Sequence, residues 1–140
     1  MSASASPADI VNAMHRAFRA RDLDAIAAYW ADDIRYVAPD VDVVGKEARI
    51  RDEQAWLGAF TDNYVEVHAL VEQGDEVMEF CTLGGVHTGA LPLPDGSVLP
   101  ATNRRITGAF ASHYRIKDGK VVYQQIIYDK FGLLKQLGLV

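Results

Sequence analysis

The chain holds one cysteine, Cys81, among its 140 residues. That excludes an intrachain disulfide and a cysteine-rich zinc cluster. No run approaches the ~20 apolar residues that a membrane span requires, so no bilayer crossing is expected. Cations are also few: 14 Lys and Arg stand against 19 Asp and Glu, a formal net charge of −5. A nucleic-acid partner needs surplus positive charge to displace counterions from phosphates, and none is expected here. No glycine-rich phosphate loop, Ser-His-Asp arrangement or CxxC pair occurs. Residues Met1–Ser6 lack the charged start and apolar stretch of a secretory signal and read as a flexible tail. What remains is ordinary globular material, 49% hydrophobic and 24% charged. The length suits one domain over residues 1–140, expected in the cytoplasm.

Three helical patterns come first. Ser6 can cap a helix that has Pro7 at its first position and Asp9 near its positive end. Ile10, Met14 and Phe18 form its apolar face, with Val11 alongside. Asp22 can cap a second helix that buries Leu23, Ile26, Ala27 and Trp30. A short strand, Ile34–Ala38, is ended by Pro39-Asp40, and a loop runs to Gly45. A third helix over Lys46–Phe60 places Ile50, Glu53, Leu57 and Phe60 on one stripe, with Trp56 beside it.

Beyond Thr61 the period changes to two. Tyr64–Glu72 and Val77–Leu83 flank Gly74-Asp75 as a hairpin. A two-residue turn puts Val65, Val67, Ala69 and Val71 on one face with Met78, Phe80 and Thr82, and that face is expected to be core. Gly84-Gly85 predicts a bulge that would reverse the parity after it and turn His87 inward. Gly89–Asn103, rich in proline and glycine, reads as a long connection or a protruding hairpin tip. Asp118-Gly119 is a strong hairpin signal between Ile106–Ile116 and Lys120–Tyr128. Asp129 can cap a last short helix, Lys130–Leu137. Helices followed by long antiparallel strands predict an α+β fold in which helices cover a curved sheet of five or six strands. A sheet wrapped round helices leaves a cone-shaped hollow suited to an apolar ligand.

Several phrases carry a resemblance: Asp24-Ala-Ile-Ala-Ala-Tyr-Trp30-Ala-Asp32-Asp33, His87-Thr88-Gly89, Pro100-Ala-Thr-Asn-Arg-Arg105, Asp118-Gly-Lys-Val-Val122 and Leu133-Leu-Lys-Gln-Leu-Gly138-Leu. With the order of elements, they resemble the SnoaL-like polyketide cyclases of the nuclear transport factor 2-like fold, from about Asp9 to Leu139. The resemblance implies a cone-shaped α+β barrel, a polycyclic or isoprenoid small molecule in the cone, dimers, and no metal or organic cofactor. It also implies an inward acidic residue on the last strand, at the position held here by Ile126, and an inward histidine on the strand before it, which falls on His113.

A tight turn at Asp118-Gly119 sets His113 opposite Gln124 and Ala111 opposite Ile126, so His113, Gln124, Ile126 and Tyr128 share a face. The resemblance makes that face the pocket. His113 is then the expected acid/base group, because imidazole exchanges protons near neutral pH. His87 would orient it or hold a carbonyl oxygen. Asp129, the nearest carboxylate after Ile126, would stand at the rim or cap the last helix. Tyr36, Trp30, Trp56 and Tyr128 are expected to wall the hollow for a flat substrate. His15 and His68 fall on faces expected to be solvated. The opposite hairpin face, with Phe110, Tyr114, Ile116, Val121, Tyr123 and Ile127, is the expected homodimer surface. The function expected is a cofactor-free cyclase or isomerase acting on an enolisable, polyketide-like molecule. The alternatives are a non-catalytic binding module for an apolar or aromatic ligand, or a structural dimerisation domain.

Overall fold

The structure, a computed structural model, describes residues 5–93 and 95–140. The start of the expected flexible tail, residues 1–4, and Pro94 of the long connection lie outside the described residues. Helix α1, Pro7–Arg19, opens with a complete capping box: Ser6 Oγ accepts from the Asp9 amide, and Asp9 accepts from the Ser6 amide. Asp22 caps α2, Leu23–Ala27. Strand β1, Trp30–Ala38, follows at once, and Asp40 turns the chain with φ 64° into β2, Val41–Val44. The loop expected there is thus a hairpin, clamped by Arg35 and Asp42 at 2.9 Å. Helix α3 spans Lys46–Ala59.

Two long hairpins complete the sheet: β3, Phe60–Gln73, with β4, Glu76–His87, and β7, Arg105–Lys117, with β8, Lys120–Tyr128. Between them, β5, Leu91–Pro92, and β6, Val98–Leu99, form the protruding tip. The six-stranded sheet runs β2-β1-β8-β7-β4-β3, antiparallel except where β1 lies parallel to β8. Helix α4, Lys130–Gln136, closes the chain with Asp129 as its cap. One core gathers Ile10, Val11, Met14, Trp30, Ile34, Val77 and Val121 under α1, and a second gathers Phe60, Ile106, Leu133 and Leu137 under α4.

Bulges decide which side chains face inward, and three expectations are corrected by them. On β4 the buried residues are Val77, Glu79 and Cys81, whereas Val71, Met78 and Phe80 are exposed on the outer face. Ala69 and Val71 share a face with Met78 and Phe80 as expected, but that face is the outer one, and Val65 and Val67 pair instead with Leu83 and Cys81 on the inner side. The irregularities of this hairpin lie on β3, at Thr61–Tyr64 and Val67–Ala69, and β4 pairs with β7 without a break through Gly84 and Gly85. A Cβ at Gly84 would run into the Tyr64 ring, which explains the glycine without a bulge. His87 therefore points inward by plain alternation from Val77.

The last hairpin carries the largest correction. Asp118 and Gly119 take φ 52° and 75°, as a tight turn requires. Ile116 pairs with Val121, but Arg115 pairs with Tyr123, so Val122 is an extra residue in β8. One inserted residue reverses every later side chain. Gln124, Ile126 and Tyr128 accordingly join Phe110, Ser112 and Tyr114 on the inner face, while His113 sits on the outer face opposite Gln125. Phe110, Tyr114, Ile116 and Val121, expected on a dimer surface, are core. Of that set only Ile127 is fully outward, 61% exposed.

Candidate active site

Helices α1, α3 and α4, the β5–β6 tip and the inner sheet face enclose a cavity of about 190 Å³. Its walls are largely apolar: Met14 and Phe18 from α1, Leu83 and Phe110 from the sheet, Leu91 from the tip and Leu133 from α4. Of the residues expected at the site, Tyr36, Trp56, Gln124, Ile126 and Tyr128 line this cavity. Trp30 does not. It is 1% exposed in the core, with its ring stacked on the guanidinium of Arg49 at 4.3 Å.

The polar part of the cavity is built on α3. Arg49, Asp52, Glu53 and Trp56 follow the i, i+3, i+4, i+7 spacing of one helix face, and all four line the cavity. Arg49 is 4% exposed, and its guanidinium also lies 3.9 Å from the Tyr36 ring centre. It donates to Glu53 Oε2 at 2.8 Å and to Gln124 Oε1 at 3.3 Å, and its Nη1 lies 3.7 Å from Asp52 Oδ2. Burial alone would depress Arg49, but Glu53, Tyr36 and Asp52 more than offset this and hold its pKa above the usual value. With Arg49 donating to its oxygen, the Gln124 NH₂ group has no acceptor among the described residues and is left as a donor.

Asp52 is the perturbed acid of the site. Burial raises its pKa, and Glu53 pushes the same way, against the pull of Arg49 and the Tyr36 hydroxyl. Tyr36 is itself raised far above an ordinary phenol, chiefly by burial, so it stays a neutral O–H donor. Tyr128 is pushed up to about 12 by burial and by the Asp52 and Asp40 charges. A carboxylate that resists ionisation beside neutral hydroxyl donors, facing an apolar cavity, has the chemistry of a proton-transfer site.

The three residues expected to be catalytic lie elsewhere. His113 is on the outer face, where its Nε2 meets Glu76 Oε1 at 3.0 Å and its ring stands edge-on to Tyr123. Val122 is the reason, since the extra residue separates the faces of His113 and Gln124. His87 is inward but behind Phe60, 5.1 Å from that ring, and outside the cavity wall. Its Nδ1 accepts from the Thr102 amide at 3.2 Å, and burial lowers its pKa. Asp129 is the cap of α4, its Oδ1 accepting from the Gly132 amide at 2.8 Å. His68 is exposed as expected and bonds Thr82. His15, expected in solvent, lines the cavity instead, because it follows the fully buried Val11 by one helical turn.

Sequence reasoning passed over Arg49, Asp52 and His15. The usable signal was Glu53, a charge on a stripe assigned to the core. A buried charge needs a partner, and Arg49 at i−4 supplies it.

A curved α+β sheet with helices over one face and an inward-lined cavity is the nuclear transport factor 2-like, or ketosteroid isomerase-like, cone. Within that class, the chain belongs to the SnoaL-like polyketide cyclase family, which it matches over residues 8–137. Among solved structures it is similar to AclR of Streptomyces galilaeus, a candidate hydroxylase, at 25% identity over 96% of each chain and a TM-score of 0.80. IdmH of Streptomyces antibioticus, a candidate polyketide cyclase, is 24% identical over 96% of this chain and 99% of its own, with a TM-score of 0.77. A Catenulispora acidiphila protein with a ketosteroid isomerase-like fold, in complex with trimethylamine, is 21% identical over 97% and 96%, with a TM-score of 0.76. No curated protein matches the chain in sequence. Among the described residues, no helix is long and apolar enough to cross a membrane.

Proposed function

We propose that the protein is an acid/base enzyme that enolises a small ketone-bearing molecule in this cavity, leading to cyclisation or isomerisation. The observation that carries this reading is Asp52, a carboxylate raised by burial at the polar end of an apolar cavity. Asp52 takes the proton from the carbon next to the carbonyl, and the electron pair moves into the enolate. As Asp52 becomes protonated the Tyr36 hydroxyl turns from it to the developing oxyanion, to which the Gln124 NH₂ group also donates. The enolate then either recaptures a proton at another carbon or attacks a second carbonyl. Arg49 holds Asp52 and Gln124 in place. The chemistry is assigned to the chain's own side chains, without metal or organic cofactor, and is placed in the cytoplasm.

The test uses 2-tetralone, an enolisable bicyclic ketone, in D₂O. The wild-type protein should accelerate deuterium uptake at the α-carbon. Asp52→Asn should lose roughly 10²-fold or more of that rate, while still quenching its tryptophan fluorescence on ketone addition. Equal rates in both proteins would remove Asp52 from the reaction. The binding-module reading rests on Ile126, which is apolar where the related cyclases carry an acid. It predicts ketone binding with no exchange.

We further propose a homodimer formed through the outer sheet face. Val71, Met78, Phe80 and Ile127 are 64%, 53%, 52% and 61% exposed, an apolar patch that a second copy would cover. Sedimentation at micromolar concentration should give twice the monomer mass, and Phe80→Asp should return the monomer. A wild-type monomer would reject this arrangement.

A further inference from the structure

A second polar cluster touches the cavity and is not used by the reaction above. The Glu79 side chain on β4 has 0% exposure. Its Oε2 accepts from His15 Nε2 at 2.8 Å and its Oε1 from the Tyr114 hydroxyl at 2.9 Å. His15 and Tyr114 both line the cavity. A carboxylate facing Nε2 assigns the ring proton to that nitrogen. Among the described residues Nδ1 has no hydrogen-bond partner, so its lone pair is free. Carboxylate, imidazole and unoccupied Nδ1 form a dyad at a cavity wall, the arrangement that turns a histidine into a proton carrier.

We propose that His15 is a second catalytic acid/base residue of this cavity and that Glu79 is its positioning residue. The proposal rests on the acid/base reading of the site and extends it to the reaction class. Two separate proton carriers, Asp52 on α3 and His15 on α1, suit a β-elimination of water or its reverse. Asp52 removes the α-proton, the electron pair forms the C=C bond, and the C–O bond breaks. In this direction His15 starts as the imidazolium, its Nδ1 lone pair having taken a proton from solvent and Glu79 stabilising the charge. The hydroxyl takes that Nδ1 proton and leaves as water, the ring returns to its neutral form, and Asp52 releases its proton to solvent. Glu79 and Cys81 from β4 face His15, and Tyr114 from β7 shares the Glu79 carboxylate with it. Cys81 Sγ lies within 4.8 Å of both the carboxylate and the ring nitrogen. Its thiol is pushed up to about 12 by burial and by Glu79, which opposes thiolate ligation of a metal by the three.

Dehydration of 3-hydroxy-1-tetralone to the fluorescent 1-naphthol separates the two roles, since it needs an acid at the leaving hydroxyl that α-exchange does not. His15→Gln should lower dehydration roughly 10²-fold, a far larger loss than it causes in 2-tetralone exchange. Asp52→Asn should lower both. Glu79→Gln should lower dehydration less and move its pH limb downward, because the imidazolium loses its facing charge. Glu76→Gln on the outer face is the unchanged control. Dehydration at the wild-type rate in His15→Gln, with Asp52→Asn inactive, overturns the dyad and leaves Asp52 standing. If the wild type turns over neither ketone, the Asp52 reading fails, and the dyad is judged by ¹⁵N NMR of the ring. A His15 Nδ1 resonance that moves on saturation with 2-tetralone supports the dyad, and one that does not move overturns it. The same NMR reading decides if His15→Gln does not fold. One-to-one zinc binding that Cys81→Ser abolishes would also overturn it, in favour of a metal site.

Discussion

Replacing Arg49 with methionine keeps most of the buried volume and removes the charge, which isolates the electrostatic role of the guanidinium. Glu53, with a side chain 13% exposed, loses its counterion, and Asp52, at 34%, loses a weaker one 3.7 Å away. Removing one partner of a buried ion pair costs about 3–5 kcal/mol, because the other charge stays buried and unpaired. Stacking of a desolvated guanidinium on aromatic rings such as Trp30 and Tyr36 is worth about 2 kcal/mol, part of which methionine restores through sulfur–aromatic contacts. The expected loss is therefore at least about 3–5 kcal/mol, a large part of the roughly 5–15 kcal/mol that holds such a domain together. Urea melts at pH 7 measure it directly, and the melting temperature should fall by roughly 10–20 °C. The pH dependence supplies the sign. Without Arg49, Asp52 ionises less readily still, so its folded pKa rises further above its unfolded value. The penalty is full above that folded pKa and fades as pH falls through it, so the gap between variant and wild type should narrow at pH 5. Glu53→Gln in the Arg49→Met background should recover at least about 1 kcal/mol. A loss below 1 kcal/mol at pH 7, or a gap that ignores pH, would refute the buried counterion.

Other outcomes follow from single contacts. Asp52→Asn should melt no lower than wild type at pH 7, since burial opposes the charge it removes; a clear drop would make the residue structural. Asp129→Ala should cost about 1 kcal/mol through the lost α4 cap with exchange intact, read by melts and the tetralone assay. His113→Gln breaks a half-buried pair with Glu76 on the outer face and should change stability by no more than about 1 kcal/mol with no loss of rate. Cys81 should resist a thiol-reactive disulfide reagent at pH 8 until urea unfolds the chain, because its thiol is pushed up to about 12; immediate labelling would contradict its burial.

The helices were legible because their signals are local. Ser6-Pro7-Ala8-Asp9 states its own cap, and Asp22 and Asp129 state theirs. The turns at Gly74-Asp75 and Asp118-Gly119 were equally plain, and so was the sheet they imply. Inside and outside were not. Both faces of each hairpin are apolar, so alternation fixes which residues share a face but not which face is buried. The Val122 bulge leaves no mark among the β-branched and aromatic residues around it, and that one residue moved His113 out of the cavity. His87 was turned inward from two errors that cancel, a bulge at Gly84-Gly85 that does not form and a β4 face read the wrong way round. The α3 cluster stayed hidden because Glu53, on one stripe with Ile50, Leu57 and Phe60, gives no sign of its Arg49 and Asp52 neighbours' role until β1 and β8 supply Tyr36 and Gln124 to meet them.

The central claim is that the chemistry belongs to the inner face, at Asp52, and not to the outer face, at His113. Side-by-side deuterium exchange of 2-tetralone by the wild type, Asp52→Asn and His113→Gln measures this directly. The account predicts exchange by the wild type and His113→Gln at equal rates and a loss of roughly 10²-fold in Asp52→Asn. Exchange that survives in Asp52→Asn and disappears in His113→Gln would contradict it.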